Sequence, residues 1–452
     1  MLSRVLTSVL CCMCAPVLAD TMPPVAAPDY VPLGVYLSWE RIAACARAQG
    51  IEPWTDVERR LDLLQSRNVN LLWVTNMSEV DLPRLAEACD RRGIRLLPCV
   101  DSVEAKVEWR WADPSYYDQT LPRVVNSVSG QKAVAGWVLS DEPLEKDFPG
   151  LEKLRLQFDA LDPDRFTTAV FMWPQAPVAP LHVKFPVYCV DLYPFYGPND
   201  PNGPHSDGAS RDFYRGNIRK MLDGLERNGA VGWVMGMCFS DIWGPRRYDG
   251  NGHLIGLAGS YLHWRAPTLA EMRWQVWEAF RGGAKGFICY TLAPEAPDPA
   301  SSTAPVPDVT WKDVLAQSET DLGVNALTTP DGSGTPQLDE LGRIYAQLSP
   351  HTALIRGWRM LEGGGVQVSA PCQSQAFHDD TGGDTYAVVL NDDFHESVTA
   401  SVNLETPFGS ATDILRAENI KTSVDSGGKG ASCTIHLEPG EGTILRLGPA
   451  SK

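Results

Sequence analysis

Short apolar runs alternate with amphipathic stretches along most of this chain, and that alternation limits its fold more than any other feature. Strand-like runs fall at Leu33–Trp39, Asn70–Asn76, Ile94–Asp101, Ala135–Glu142, Phe166–Trp173, Val187–Tyr193, Val231–Ser240 and Lys285–Leu292. Helical patterns lie between them at Thr55–Arg67, Leu82–Arg92, Leu144–Leu161, Asp212–Asn228 and Leu269–Arg281, with another at Leu338–Leu348. Strands that alternate with helices predict an α/β fold with a parallel sheet and crossovers. Eight such strands fit a closed (β/α)8 TIM barrel better than an open sheet. Helix-to-strand turns are short, as at Arg92–Gly93 and Gly282–Ala284, whereas Asp101–Gln119, Pro194–Arg211, Asp241–Thr268 and Ala293–Pro336 are long. Long connections therefore follow strand C-termini, the face on which barrels build their sites.

From about Ala353 the pattern becomes all-β. Short strands are expected at Val366–Ser369, Thr385–Leu390, Ser397–Leu404, Ala411–Leu415, Ser432–Leu437 and Gly442–Leu447. Turn residues such as Asn391-Asp392-Asp393 and Pro439-Gly440 separate them, as in a small sandwich. The expected organisation is a barrel over residues 30–350 and a sandwich over 353–450. The first 19 residues read as a signal peptide. Arg4 supplies its charge, Val5–Leu18 its apolar run, and Val17-Leu18-Ala19 its cleavage site before Asp20. That run is short for a membrane span, and no small residue precedes Cys11, Cys12 or Cys14 as a lipid anchor requires. A periplasmic or secreted protein is expected.

The net charge of -17 repels phosphate backbones and anionic lipids, so nucleic acid and membrane surfaces are excluded as partners and a neutral substrate fits. No metal or cofactor is implied. The cysteines beyond the leader include no C-x-x-C pair, and His182, His205, His253 and His263 have no ligand spacing. No glycine-rich phosphate loop follows a strand, and no G-x-S-x-G is present. Cys99, Cys189, Cys238 and Cys289 sit in apolar strands as core fillers. Cys372 and Cys433 are either a disulfide or two buried thiols.

The segment with most chemistry is Gly136-Trp137-Val138-Leu139-Ser140-Asp141-Glu142-Pro143. Strand alternation puts Val138, Ser140 and Glu142 on the barrel interior, and Trp137, Leu139 and Asp141 on the helix side. Glu142 would end the fourth strand at the mouth, where shielding raises the pKa of a general acid. The competing explanation is that Asp141-Glu142 opens the next helix. Asp191 ends the sixth strand, in phase with Cys189 and Tyr193; it either faces the same mouth or caps a loop. Asp241 lies just past the seventh strand, as a second carboxylate or a plain loop residue. Trp39, Trp173, Tyr193, Tyr196, Trp243 and Tyr290 fall at strand ends or in the loops that follow. Flat rings there would stack on sugar faces, though core packing explains any one of them. Glu40 and Asn76 also end strands, as hydroxyl ligands or local caps. Glu271 belongs to a capping box that opens with Thr268, and Arg273 follows in the same helix.

These motifs resemble those of the clan-A glycoside hydrolases, in particular barrels whose fourth strand ends in G-W-x-x-x-D-E-P. Val69–Val74 and Arg92–Leu97 are similar to their second and third strands. Glu271–Arg273 with Gly283–Ile288 resembles their last helix and eighth strand. Tyr386–Asn391 and Leu437–Gly442 resemble the β-sandwich that follows. The resemblance covers most of the mature chain. It implies a carbohydrate substrate, Glu142 as acid/base, and a nucleophile about 5 Å away on strand seven. The chain departs from the pattern twice: Asp141 stands where Asn is usual, and Val231–Ser240 holds no carboxylate. Asp241 or Asp191 would be the second carboxylate. Alternatively Asp141 steers a substrate acetamido group, as the Asp of an Asp-Glu pair does in some acetylhexosaminidases. The expected function is a glycosidase; the alternative is a sugar-binding barrel without catalysis.

Overall fold

The computed structural model describes residues 27–100, 114–225, 229–244, 246–248, 254–256, 259–294, 326–363, 365–405, 407–424 and 430–449. The expected signal peptide, His253 and much of the long connections lie outside these residues.

Eight strands form one parallel sheet: β1 (Leu33–Ser38), β2 (Leu71–Thr75), β3 (Arg95–Pro98), β4 (Gly136–Asp141), β5 (Phe166–Met172), β6 (Val187–Asp191), β7 (Val231–Met237) and β12 (Phe287–Tyr290). Their order is β3-β2-β1-β12-β7-β6-β5-β4. Parallel bridges Leu96–Val134 and Cys99–Val138 join β3 to β4 and close the barrel. Alternation along each strand builds two cores. Leu71, Trp73, Val138, Val170, Trp233 and Ile288 fill the interior. Trp137, Leu139, Phe171, Val190, Val234 and Phe287 pack outward in a separate core with the helices. Each large apolar side chain so buried contributes about 1.5–3 kcal/mol.

The helical layer comprises α1 (Trp39–Ala48), α2 (Pro53–Gln65), α3 (Leu82–Asp90), α4 (Pro114–Ser127), α5 (Phe148–Leu161), α6 (Asp207–Leu225), α7 (Leu269–Arg281) and α8 (Pro336–Leu348). The short α9 (Thr352–Gly357) follows. No helix among the described residues is long and apolar enough to cross a membrane. Thr268 and Glu271 cap α7 reciprocally, as the sequence indicates. The seventh strand stops three residues earlier than the apolar run, at Met237. There the Gln275 side chain on α7 accepts from the Met237 N–H and donates to its C=O, so the ladder ends. The connection after β7 is not plain loop. It carries two antiparallel ribbons, β8 (Asp241–Trp243) with β11 (Tyr261–Trp264) and β9 (Arg246–Tyr248) with β10 (Leu254–Gly256).

The C-terminal region is a sandwich of two antiparallel sheets. One runs β13 (Trp358–Met360), β15 (Gln373–Asp379), β16 (Thr385–Leu390), β22 (Gly442–Pro449), β18 (Phe408–Asp413), β19 (Glu418–Ile420). The other runs β14 (Val366–Val368), β17 (Val398–Glu405), β21 (Gly430–Leu437), β20 (Ser423–Val424). Val389, Ala400, Val402, Ile435 and Leu445 meet between them. Cys372 and Cys433 are free thiols in that core, so of the two explanations the buried thiols are the one observed. The (β/α)8 barrel followed by an all-β sandwich is the fold the sequence predicts.

The two halves share a polar seam. Asp392 in the sandwich accepts from Trp274 Nε1 (2.8 Å) and an Arg215 guanidinium nitrogen (2.9 Å). Arg273 donates to the Pro439 carbonyl at 2.9 Å. Gly440, at φ +66°, brings its backbone so close to α7 that a Cβ there would stand 2.1 Å from the Ala270 carbonyl.

Candidate active site

The mouth at the strand C-termini holds a cavity of about 240 Å³. Four carboxyl-bearing residues line it: Asp141, Glu142, Asp191 and Asp241. Tyr36, Tyr193, Phe239, Trp264 and Tyr290 form its aromatic walls, and Arg41 is its one cation among the described residues.

Glu142 gets there by a route that alternation does not foresee. The register of β4 against β5 shifts between Val138 and Asp141, so Asp141 pairs with the inward Val170. Such a bulge re-aims every side chain beyond it. Asp141, expected on the helix side, therefore lines the cavity. Glu142 then adopts a left-handed φ of 50° while its N–H keeps the ladder bond to Val170 O at 3.0 Å. Left-handed backbone at a non-glycine residue costs energy and is concentrated at functional sites. Both acids thus face the same space.

Asp191 closes β6 on the interior side and is 8% exposed. Burial pushes its pKa well above the carboxylate range, and the negative charges of Glu142 and Asp141 add to that, as does a side-chain hydrogen bond with Glu142. Both effects favour the neutral carboxyl over the carboxylate at this position. Its Oδ1 has no hydrogen-bond partner. Asp241 opens β8. Its Oδ1 accepts from the Ile242 N–H at 2.8 Å and its Oδ2 from Trp243 Nε1 at 3.1 Å.

The aromatic walls are mutually braced. The Tyr290 ring lies 4.6 Å from Tyr36 and 5.0 Å from Phe239 between centroids, and its hydroxyl accepts from Arg41 at 3.0 Å. Thr75 donates to the Tyr36 hydroxyl at 2.9 Å. Burial pushes the Tyr36 and Tyr193 pKa well upward, so both stay neutral. Trp243 stacks on His263 at 3.7 Å, and His263 is paired to the buried Asp200.

Of the aromatic candidates, only Tyr193 and Tyr290 line the cavity. Tyr196 stands behind Trp264, to which it is bridged. Trp243 is 44% exposed beside Asp241, and Trp173 is 43% exposed with its ring edge-on to Phe213. Trp39 packs on Trp54 in the helical layer, 4.7 Å between rings, and Glu40 is exposed on α1. Asn76 sits at φ 58° and its amide donates weakly to Ser38 Oγ at 3.4 Å. Sequence reasoning missed Tyr36, Arg41, Phe239, Ser240 and Trp264. Tyr36 carried a usable signal, since it is in phase with Ser38 on β1. Arg41 did not, because Trp39-Glu40-Arg41 is simply the start of a helix.

No protein-family model matches the sequence, and no curated protein matches it. Solved structures do. A noncanonic maltogenic α-amylase from Thermotoga neapolitana superposes with a TM-score of 0.50 at 12% identity, over 92% of this chain and 98% of that one. A β-glucuronidase from Ruminococcus gnavus gives 0.46 at 12% identity, over 70% of this chain and 49% of that one. A Faecalibacterium prausnitzii β-glucuronidase gives 0.45 at 15% identity, over 71% and 49%. The chain spans about half the length of these glucuronidases. The amylase, matched nearly end to end, shares the fold of this chain, a TIM barrel followed by an all-β sandwich.

Proposed function

We propose that this protein is an exported glycoside hydrolase acting on an oligo- or polysaccharide, with Glu142 as general acid/base. The observation that carries the reading is that Asp141, Glu142, Asp191 and Asp241 converge on one aromatic-walled cavity at the barrel mouth. A glycosidase requires a proton donor at the leaving oxygen and a carboxylate on the far side of the sugar. Carboxyl groups that share a hydrogen bond leave no room between them for a sugar carbon or a water. Asp191 is therefore the proton partner of Glu142, and Asp241, on the β7 side of the mouth, is the opposing carboxylate. Glu142 protonates the glycosidic oxygen as the C–O bond breaks, and Asp241 faces the oxocarbenium-like charge. Tyr193, Tyr290 and Trp264 supply the walls for the ring.

One feature favours a second reading, sugar binding without hydrolysis. Both Asp241 oxygens are engaged within its own ribbon, and a nucleophile needs one of them released. The two readings separate in a single assay of aryl glycosides and soluble polysaccharides, with the mature chain compared against Glu142→Gln. Release that disappears in the variant supports hydrolysis. Binding without release from either protein supports the second reading. Export rests on the leader Met1–Ala19; a periplasmic or culture-fluid protein whose first residue is Asp20 would support it, and a retained leader would count against it.

A further inference from the structure

The cavity is too small for a chain of sugars. Its volume of about 240 Å³ lies below the roughly 300–1,000 Å³ of a pocket that encloses a drug-sized ligand, so it takes one ring, and any further unit must lie on the rim. Trp243 stands on that rim. It is nearly half exposed, and it touches two residues that line the cavity. Its Nε1 donates to Asp241 Oδ2 at 3.1 Å, and its ring meets Trp264 edge-on at 5.6 Å between centroids.

This exposed ring is braced from beneath. One face lies on the His263 ring, 3.7 Å between centroids and 24° from parallel. His263 is bonded through Nδ1 to the buried Asp200 carboxylate. Asp200 is itself fixed, since its Oδ1 accepts from the Asn202 and Gly203 N–H groups at 2.7 Å each. The Gly197 N–H ties the same loop to the His263 carbonyl at 2.9 Å. With His263 under one face and Trp264 at the edge, the surface that Trp243 offers to solvent is the opposite face. A flat ring held still with one face in water is preorganised for a ligand, because the entropy of ordering it is lost in folding and not in binding.

We propose that the open face of Trp243 is a second sugar subsite beside the cavity, and that the protein recognises chains of two or more units rather than single sugars. The proposal rests on the reading of the mouth as a sugar site. The C–H face of a pyranose stacks on a flat indole, and a unit seated there adjoins the one in the cavity across Asp241 and Trp264. His263 and Asp200 are positioning residues: they touch no sugar and set the plane on which it lies. Trp243 also donates to Asp241, so its two roles have to be separated. Phenylalanine keeps a flat face and removes the N–H; alanine removes both.

The test is calorimetric titration of the full mature chain carrying Glu142→Gln, so that no sugar chain is cut. The probes are glucose with malto- and cello-oligosaccharides of two and three units, xylose with the xylo-oligosaccharides, and N-acetylglucosamine with its β-1,4 chains. The two-unit chain of the recognised sugar should bind about fivefold or more tightly than the single unit. Adding Trp243→Ala should reduce that ratio to about one, and Trp243→Phe should keep most of it. His263→Ala should lower it, and His263→Phe, which restores a ring beneath the indole, should recover it. A ratio near one in the starting protein, a ratio that survives Trp243→Ala, or no binding of any probe would each overturn the proposal. Equal losses in Trp243→Phe and Trp243→Ala would overturn it too, by assigning the effect to the Asp241 hydrogen bond. The two readings fail separately. A Trp243-dependent gain with chain length, without cleavage by the protein that retains Glu142, sinks the hydrolase and leaves the subsite. Glu142-dependent cleavage with no gain from chain length does the reverse.

Discussion

Asp191 places a carboxyl group where the neighbouring charges on it are negative and burial opposes its ionisation. Its folded pKa is raised above the unfolded value, which is near 4. Such a group favours folding below the unfolded pKa and loses that contribution as pH rises toward the folded pKa. Asp191→Asn removes the titration while keeping the shape. The variant should therefore melt at a higher temperature than the parent at neutral pH, and the gap should close toward pH 4. Thermal melts across that range check it; a gap that widens on acidification would mean Asp191 is ionised in the folded protein. Arg41 and Tyr290 illustrate the other side of residue-scale design. Their hydrogen bond fixes a ring wall from two elements far apart in sequence, and nothing in either segment alone marks the pairing.

At the scale of elements, the barrel strands and most helices were readable because apolar period and capping residues are local properties. Phe166–Met172 and the Thr268–Glu271 cap are examples. The bulge in β4 was not readable. A register shift leaves no compositional mark, so Asp141 was placed on the wrong face although Glu142 was placed at the mouth. The strand β15 was missed for a related reason. Gln373, Ser374 and Gln375 read as loop, and only pairing with β16 makes them strand. The entry to β4 depends on Gly136, whose Cβ would stand 2.6 Å from the Phe166 carbonyl. Gly136→Ala should destabilise by roughly 1–3 kcal/mol in denaturant unfolding. Gly208→Ala on α6, where a Cβ meets nothing within 4 Å, should instead be neutral or slightly stabilising.

For the whole molecule, the sandwich is fastened to the barrel by groups remote from the mouth. Asp392 receives Arg215 and Trp274. Asp392→Ala would leave Trp274 Nε1 unmatched and Arg215 with Glu278 as its remaining carboxylate, and would cost about 1–3 kcal/mol. Calorimetry should show the barrel and sandwich transitions drawing apart, and an unchanged single transition would argue against the seam. Lys285 donates to the Ile355 and Trp358 carbonyls across the same boundary. Burial, aided by Arg356, pushes its pKa down to about 7. Between that value and the ordinary lysine pKa of about 10.4 the unfolded chain binds more protons, so this group makes stability rise with pH. Lys285→Met should lose that rise when melts at about pH 7 and pH 9 are compared. On the proposed reading the scaffold holds one proton donor at the barrel mouth, and the choice of leaving group tests that directly. An acid is needed for a poor leaving group such as a sugar alcohol and hardly needed for a dinitrophenolate. Glu142→Gln should lose about a hundredfold or more in kcat/KM on the natural linkage and little on the dinitrophenyl glycoside. Equal losses on both substrates would contradict Glu142 as the acid.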